Sequence, residues 1–363
     1  SEDGEVLLVG LAEWDEKPPT PATKSGEEPA GVEVWHTRDV RAMPEQKLRA
    51  SRERGRSSLA AWHLAAGRLV PLTDNPDEQI QPLRKSAWAL GIDPKPYEKE
   101  AMFGRPAWDV YRIELASGQR ERVVERLEFA SRLQPSPGGR YFLYFQGNHY
   151  WLCDIPARTH RNLTAGLSTS FANLEYDYPV PHKPPYGVAG WTKGDRSVIV
   201  YDQHDLWELF PAGAKPRLLT QGAAEQIQHR YVRLDPQEQF IDPARPLYLS
   251  LFGRWTKRSG IACHQSGRTE RLLWVDKQIG RLRKAKEAEV YVYTSQAFDD
   301  SPDYFVAGAE LKNPRQVSET NPFQGHYAWG RAELIEYRSP RGDRLQGALY
   351  YPAEYQAGKL HPM

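Results

Sequence analysis

The sequence predicts an all-β chain, a seven- or eight-bladed β-propeller that is clipped in its first blade. Three observations predict this fold. The 363 residues include 11 Trp and 19 Tyr, which favour strands, and 28 Gly and 29 Pro, which favour turns. Short apolar strands recur at intervals of about 40–60 residues, the spacing of four-stranded propeller blades. One of these stretches also repeats at a constant offset through a whole unit.

The clearest repeat aligns residues 138–166 with residues 194–222. In both copies a turn containing Gly precedes an apolar strand, and an alternating strand with a central Trp follows. A Leu-Thr pair then closes each copy. We therefore expect Trp151 and Trp207 to occupy equivalent and largely buried places in adjacent blades. An ordinary β-sandwich is the alternative, and a register that is kept through a whole unit argues against it.

Weaker copies extend the repeat along the chain. Tyr111 stands where the two Trp residues stand, and alternation puts it on one strand face with Ile113 and Leu115. The copies together predict six blade-like units near residues 1–73, 80–124, 126–164, 166–220, 226–273 and 274–318. The segment 44–56 mixes basic and acidic residues. We interpret it as a solvated insert within the first unit rather than as an anion-binding patch.

Composition excludes several classes of function. The 48 basic residues against 47 acidic ones give a net charge of +1, so we expect no nucleic-acid partner. No apolar run approaches the roughly 18–20 residues that a membrane helix needs, so no membrane span is expected. The ten His residues form no H-x-x-x-H pair, and Cys153 and Cys263 are too few for a four-cysteine zinc site. We therefore expect no metal and no cofactor.

Two segments carry a resemblance to a known family. Residues 136–141 read Ser-Pro-Gly-Gly-Arg-Tyr, and residues 332–351 form two alternating runs around Arg341-Gly342-Asp343, followed by Lys359 and Pro362. The first resembles a turn that recurs in the propellers of prolyl-oligopeptidase-family (S9) serine peptidases, which include dipeptidyl peptidase IV-like and acylaminoacyl peptidase-like enzymes. The second resembles the first hairpin of that family's α/β-hydrolase domain. The resemblance implies a propeller domain at 1–330 and the start of a truncated hydrolase domain at 331–363.

The same resemblance implies that the catalytic residues lie outside this chain. In such enzymes the Ser occupies a G-x-S-x-G elbow, and Asp and His follow it. No such motif occurs here, because residues 166–170 fail at the last position. We therefore expect no catalytic residue in the chain. The implied function is to gate the access of short peptides to a C-terminal hydrolase domain, which would cleave them by acyl transfer to serine. The alternative is a stand-alone TolB-like or WD40-like propeller that acts as a protein-binding scaffold.

One acidic and aromatic stretch, residues 173–178, precedes a Pro-rich segment and supplies the candidate site. In dipeptidyl peptidase IV-like relatives, acidic propeller residues bind the free amino terminus of the substrate. We therefore predict roles in substrate access or in a domain interface for Glu175, Asp177, His182 and Tyr186. An ordinary rim loop is the alternative. The nearby carboxylates Asp202 and Asp205 are better interpreted as turn caps than as a catalytic pair.

The start of the chain bears on its origin. It begins at Ser1, and an apolar strand follows almost at once, at Val6 to Val9. We expect from this that the chain is part of a longer protein. Both a cytoplasmic and a periplasmic or secreted location therefore stay open.

Overall fold

The described backbone is almost entirely antiparallel strand. A computed structural model describes residues 4–12 and 32–359. Their strands form six successive sheets of three to five strands and one separate two-stranded sheet. Successive antiparallel meanders of about four strands are propeller blades, so the predicted β-propeller class is confirmed. These residues hold six blades and one further sheet, against the seven or eight blades predicted.

The chain divides into two compact units, and the first holds blades 1 to 3. It comprises the residues up to Pro185 together with Pro211–Gly213. Blade 1 contains β1 (Val6–Leu11), β2 (Ser58–His63) and β3 (Arg68–Pro71). Blade 2 contains β4 (Gln79–Pro82), β5 (Trp88–Asp93), β6 (Trp108–Glu114) and β7 (Arg120–Leu127). Blade 3 contains β8 (Gln134–Pro135), β9 (Tyr141–Gln146), β10 (His149–Asp154) and β11 (Thr159–Asn162).

The second unit holds blades 4 to 6 and the separate hairpin. It comprises Tyr186–Phe210 and the residues from Ala214 onwards. Blade 4 contains β12 (Val188–Trp191), β13 (Val198–Tyr201), β14 (Leu206–Leu209) and β15 (Arg217–Leu218). Blade 5 contains β16 (Ile227–Tyr231), β17 (Leu247–Gly253), β18 (Ser259–Gln265) and β19 (Arg268–Val275). Blade 6 contains β20 (Gln278–Ile279), β21 (Arg283–Lys284), β22 (Tyr291–Ala297), β23 (Asp300–Ala307) and β24 (Arg315–Gln316). The hairpin pairs β25 (Arg331–Arg338) with β26 (Arg344–Tyr351).

Helices are few and short in the described residues. Helix α1 (Met43–Arg54) forms the charged insert between β1 and β2; Pro44 lies in its first turn and Gly55 follows its end. Helix α2 (Glu98–Ala101) lies between β5 and β6. Single 3₁₀ turns occur at Lys95–Tyr97, Ala130–Arg132, Lys193–Asp195, Ala223–Glu225 and Gln324–His326. None of the described helices is long and apolar enough to cross a membrane.

The Leu-Thr pair that closes each copy of the repeat has a structural reason. In blade 3, the Oγ1 of Thr164 accepts the backbone N–H of Tyr150 at 3.1 Å. In blade 4, Thr220 and Leu206 make the same bond at the same distance. The residue before each Thr donates its own N–H back to the third strand. The hydroxyl therefore satisfies a strand donor that the short fourth strand does not reach.

The two Trp residues occupy equivalent places, on β10 and β14, the third strands of their blades. The Trp151 Nε1–H donates to the Gln146 carbonyl oxygen at 3.1 Å, and the Trp207 Nε1–H donates to Asp202 Oδ2 at 2.8 Å. Each acceptor lies at the end of the second strand or directly after it. Both Trp residues are partly buried, with most of their surface covered, which agrees with the predicted burial.

Each unit has its core between neighbouring blades. In the first unit, the fully buried Val110 of blade 2 belongs to one apolar cluster with Phe142 and Cys153 of blade 3. In the second unit, Ile199 of blade 4 clusters with Leu249 of blade 5. A blade cannot bury both of its faces alone, and these shared clusters bury the faces that neighbouring blades present to each other.

The hairpin β25–β26 stands apart from the blades and still contacts two of their turns. One of its faces carries Arg344, Gln346 and Tyr350. The Gln346 Nε2 donates to the Trp255 carbonyl oxygen at 2.6 Å, and the Arg344 guanidinium lies 4.2 Å from the Trp255 ring. The rings of Tyr350 and Phe298 are 5.6 Å apart. This face is therefore covered in part by blades 5 and 6.

The opposite face of the hairpin exposes several apolar side chains. Tyr337 pairs with Leu345 across the two strands, and Leu349 on the same face pairs with Glu333. Leu345 and Leu349 each keep 39% of their surface exposed. Apolar exposure is not confined to this face, since Leu334 and Tyr350 on the other face keep 39% and 64% of their surface exposed. The predicted turn at Ser1–Asp3 and the tail from Leu360 to Met363 lie outside the described residues.

Candidate functional site

A cavity of about 550 Å³ lies within the second unit, at the edges of β12, β16 and β20. These are the first strands of blades 4, 5 and 6, and each pairs with only one strand among the described residues. The wall combines aliphatic side chains, hydroxyl groups and two guanidinium groups, including Leu251, Ile261, Tyr201, Tyr231, Ser250, Arg233 and Arg281. A cavity of this size and mixed lining suits a small ligand.

Two arginines reach the cavity from equivalent positions. Arg233 and Arg281 each lie two residues beyond the end of the first strand of a blade. The Arg281 Nη2 donates to the carbonyl oxygen of Arg233 at 3.3 Å, which holds the Arg281 side chain beside blade 5. The Arg233 Nη2 extends toward β12, 3.8 Å from the point that a Cβ on Gly190 would occupy. Both positive charges therefore line the same cavity.

A break in the first strand of blade 6 presents Arg281. The strands β20 and β21 pair with the same edge of β22, and residues 280–282 interrupt them. The Gly280 N–H donates to the Thr294 carbonyl oxygen at 2.8 Å. A Cβ on Gly280 would lie 1.9 Å from Thr294 Oγ1, so this close approach requires glycine. Leu282 is buried at the other end of the break, and Arg281 lies between these two anchors.

The tyrosines supply a polar group beside the arginines. The Tyr201 hydroxyl oxygen accepts the backbone N–H of Tyr231 at 3.1 Å. Burial raises the pKa of Tyr201, so its hydroxyl keeps its proton at neutral pH. Tyr231 itself donates to Glu238 Oε2 at 2.7 Å. The hydroxyl proton of Tyr201 can therefore be donated to a ligand in the cavity.

The neighbouring Arg230 has a different role. It donates to the carbonyl oxygens of His229 at 2.7 Å and Asp202 at 3.0 Å, and its guanidinium lies 4.6 Å from the Tyr201 ring. Burial lowers the pKa of Arg230, and these carbonyls stabilise its charge. Arg230 is therefore a structural cation that ties β16 to the turn after β13.

The four residues predicted for substrate access are divided between the two units. Glu175 and Asp177 are exposed on the connection from β11 to β12. His182, on the same connection, pairs through Nδ1 with Glu128 Oε2 at 2.8 Å. Tyr186 belongs to the second unit, where it packs against the apolar cluster of blades 4 and 5. Their role in substrate access stays a prediction.

The connection that carries the two acids is folded on itself. The ammonium of Lys183 donates to the carbonyl oxygens of Tyr176 and Tyr178, and the Asn173 N–H donates to the Pro184 oxygen at 2.7 Å. The rings of Tyr176 and Tyr178 are 5.2 Å apart. A loop with this internal bonding has a defined shape.

The carboxylates Asp202 and Asp205 are turn caps, as the sequence predicts. Asp202 Oδ1 accepts the backbone N–H groups of His204 at 2.8 Å and Asp205 at 2.6 Å. Asp205 Oδ1 accepts the Thr220 hydroxyl at 2.7 Å and the Gly222 N–H at 2.6 Å. Within residues 4–12 and 32–359, no group of three His, Cys, Asp or Glu side chains is arranged to hold a metal ion.

Sequence reasoning missed Arg233 and Arg281. A signal for them exists in the chain, because Val232-Arg233-Leu234 and Gly280-Arg281-Leu282 carry the same Arg-Leu pair at the same place in consecutive blades. The 56-residue repeat concerns the second, third and fourth strands. The first strands, which line the cavity, need a separate alignment.

The fold and this cavity define an all-β protein of the β-propeller class with a basic pocket. No family model matches the chain, and no curated protein matches its sequence. The chain is similar to a solved puromycin-hydrolyzing peptidase from Mycobacterium tuberculosis, with 15% identity, 84% of this chain and 48% of that chain covered, and a TM-score of 0.47. It is similar to a putative dipeptidyl aminopeptidase IV from Bacteroides ovatus, with 11% identity, 85% and 39% coverage, and a TM-score of 0.42.

A third solved structure to which the chain is similar is TolB from Acinetobacter baumannii, with 12% identity, 70% and 58% coverage, and a TM-score of 0.32. The chain thus spans between 39% and 58% of the length of these three proteins. Likenesses at these identities and TM-scores define neither a family nor an activity. Membership of the prolyl-oligopeptidase family therefore stays a prediction from the sequence motifs.

Proposed function

We propose that this chain is the propeller portion of a serine peptidase and controls the access of short peptides to an α/β-hydrolase domain. The observation that carries the proposal is the exposed apolar face of the hairpin β25–β26. Tyr337 keeps 50% of its surface exposed on that face, opposite Leu345, and Leu349 lies on the same face opposite Glu333. Apolar surface of this kind on an ordered hairpin is typical of an interface with another domain.

The position of the hairpin supports the same function. It follows the last blade and pairs with no blade strand among the described residues. Its other face is held by Trp255 and Phe298, so the apolar face has a fixed orientation. A domain that continues from β26 would pack on this face, and the blades would then stand beside its active site. The reaction of that domain is acyl transfer through a serine ester, with an oxyanion hole for the tetrahedral intermediate.

The deciding experiment reads the coding sequence beyond Met363. We expect an apolar strand, then a G-x-S-x-G elbow leading into a helix, then Asp and His in that order. The longer protein should react with a fluorophosphonate probe, and the 363-residue chain should not. A stop codon directly after Met363, or a continuation without the elbow, would contradict the proposal and favour the scaffold propeller.

A pair of variants tests the interface in the longer protein. Leu349→Glu places a charge on the apolar face and should loosen the two domains, which limited proteolysis between them would detect. Leu218→Glu is the matched control, because Leu218 lies on β15 and keeps a similar 41% of its surface exposed. Equal protease sensitivity of the two variants would mean that the hairpin face is not a domain interface.

A further inference from the structure

The geometry points to a binding site for the C-terminal carboxylate of a short apolar peptide in the cavity at the edges of β12, β16 and β20. The choice of a peptide rests on the proposed function, whereas the carboxylate site rests on the cavity itself. The carboxylate would be bound by Arg233 and Arg281, with the Tyr201 hydroxyl as a third donor. None of these residues belongs to the acidic loop that the sequence predicts.

The first argument is the balance of charge. In the described part of the chain, neither Arg233 nor Arg281 forms an ion pair. No acidic residue is among the described residues that line the cavity, and Tyr231 of its wall engages the carboxylate of Glu238 through its hydroxyl at 2.7 Å. Two guanidinium groups on one cavity wall repel each other, and an anion between them would relieve that repulsion.

The second argument is the fixed placement of the donors. The bond from Arg281 to the Arg233 carbonyl and the break at Gly280 hold Arg281 at the cavity. Tyr201 is 92% buried, and its oxygen already accepts the Tyr231 N–H, so its proton is directed to another acceptor. Arg233 and Arg281 are exposed residues, so the entropy saved before binding comes from the buried Tyr201 and from the bond that holds Arg281. A planar carboxylate with two oxygens matches the paired N–H groups of a guanidinium.

The third argument is the rest of the wall. Aliphatic side chains of Val188, Leu251 and Ile261 line the cavity beside the arginines. Its volume of about 550 Å³ admits a peptide of a few residues and excludes a folded partner. The edge strands β12, β16 and β20 offer backbone groups to an extended chain, as in β-strand addition. An apolar peptide with a free C-terminus satisfies all three features.

The experiment titrates the 363-residue chain by calorimetry with acetyl-leucyl-leucine as the free acid and as the C-terminal amide. Sodium hexanoate is the third probe, because it carries a carboxylate and an apolar tail without peptide groups. We expect the free acid to bind, and the amide to bind at least about tenfold more weakly, because charge-assisted hydrogen bonds are lost. Binding of the acid should weaken as ionic strength rises.

Variants connect the binding to the named side chains. Arg233→Gln and Arg281→Gln should each weaken binding of the acid by about tenfold or more, and Arg233→Lys should restore only part of it, since an ammonium lacks the paired donors. Arg268→Gln is the matched control, because Arg268 is exposed on β19 of the same unit and outside the cavity lining. It should bind the acid as the unchanged chain does.

Three results would overturn the inference. Equal affinity for the acid and the amide would show that the site does not recognise the carboxylate. If Arg268→Gln and Arg233→Gln weakened binding of the acid equally, the effect would come from the change in net charge and not from the cavity. Binding of hexanoate without binding of the peptide acid would keep an anion site but exclude the peptide. The coding sequence beyond Met363 tests the peptidase independently, so the failure of one proposal is distinguishable from the failure of the other.

Discussion

Blade 3 and blade 4 make the same hydrogen bonds around different interiors. At equivalent positions of the second strand, blade 3 buries Phe142 and Phe145, whereas blade 4 buries Val198 and Tyr201. The bonds through Thr164 and Thr220 have the same length in both blades. The comparison teaches that short polar side chains and glycine turns fix the register of the strands. The size of the buried apolar side chains can differ between blades, as long as they fill the space that is left between packed sheets.

The two blades differ in polarity at the residue directly before Tyr150 in blade 3 and before Leu206 in blade 4. Blade 3 has His149 there, whose Nδ1 lies 3.1 Å from Thr164 Oγ1. Blade 4 has the buried Asp205, which accepts bonds from Thr220 and from the backbone after the fourth strand. Blade 6 repeats the arrangement of blade 4, because Asp303 accepts the Ser318 hydroxyl at 2.8 Å and the Thr320 N–H at 2.9 Å. Blade 3 therefore ends its closing strand without a carboxylate.

The largest expected difference between the blades lies in their apolar interiors. Phe142→Ala should lower the free energy of unfolding by about 4 kcal/mol, because it removes a fully buried ring and leaves a cavity. The equivalent change Val198→Ala should cost about 2 kcal/mol, since it deletes two methyl groups from an equally buried site. Urea unfolding followed by tryptophan fluorescence measures both. Equal losses would mean that the two interiors are packed alike.

The next largest effect concerns the polar position. Asp205→Ala should cost about 3 kcal/mol, because it leaves the buried Thr220 hydroxyl and Gly222 N–H without their acceptor and also removes the acceptor of the Ala223 N–H. His149→Ala in blade 3 should cost about 1 kcal/mol, since it removes a single side-chain bond. The same unfolding measurement compares them. A cost for Asp205→Ala no greater than that for His149→Ala would refute the capping role of the carboxylate.

The blade pattern was predictable because it depends on residues that lie close together along the chain. Each predicted unit contains a blade, because turn residues and alternation act over a few neighbours and the repeat aligns them. The hydrogen-bond partners of the two indoles were not predictable from the same pattern. Alternation tells which face a side chain takes, but not that the Trp151 ring N–H reaches the Gln146 carbonyl oxygen and the Trp207 ring N–H reaches Asp202.

The basic cavity was beyond this kind of prediction for a different reason. Much of its wall comes from the first strands of three blades, which begin about 40 to 50 residues apart along the chain. Arg281 faces the cavity only because Gly280 breaks the strand. The Arg-Leu pair that Arg233 and Arg281 share is too short a pattern to distinguish them from the many other arginines of this sequence.

A smaller loss of stability, expected to be equal in blades 3 and 4, tests the register that they share. Thr164→Val and Thr220→Val keep the side-chain shape and remove the hydroxyl that accepts a strand N–H. Each should cost about 1–2 kcal/mol, and the two costs should agree within about 0.5 kcal/mol when the bonds are equivalent. Hydrogen exchange at the N–H groups of Tyr150 and Leu206 provides a local measurement. Faster exchange at one amide only, in its own variant, would show that the copies are not equivalent.

The smallest expected effect is a pH dependence that blade 4 has through its carboxylate. His229 is buried with Nδ1 3.6 Å from Asp205 Oδ1. Burial lowers the pKa of His229 below its ordinary value of 6.5, although the charge of Asp205 opposes this shift. The unfolded chain then binds a proton near pH 6.5 that the folded chain does not, so stability is full above this pH and falls as the pH decreases below it.

The loss from this one His is at most about 1.4 kcal/mol for each pH unit, which is the limit for a single proton. His229→Gln removes the titrating group and should flatten the stability curve between about pH 6.5 and pH 5 relative to the unchanged chain. Asp205→Asn removes the charge that favours protonated His229, so its pKa should fall further and the pH window of lost stability should extend lower. Urea midpoints measured across this pH range compare the three proteins. A curve for His229→Gln that runs parallel to that of the unchanged chain would assign the pH dependence to other groups and leave the buried carboxylate of blade 4 without a titrating partner.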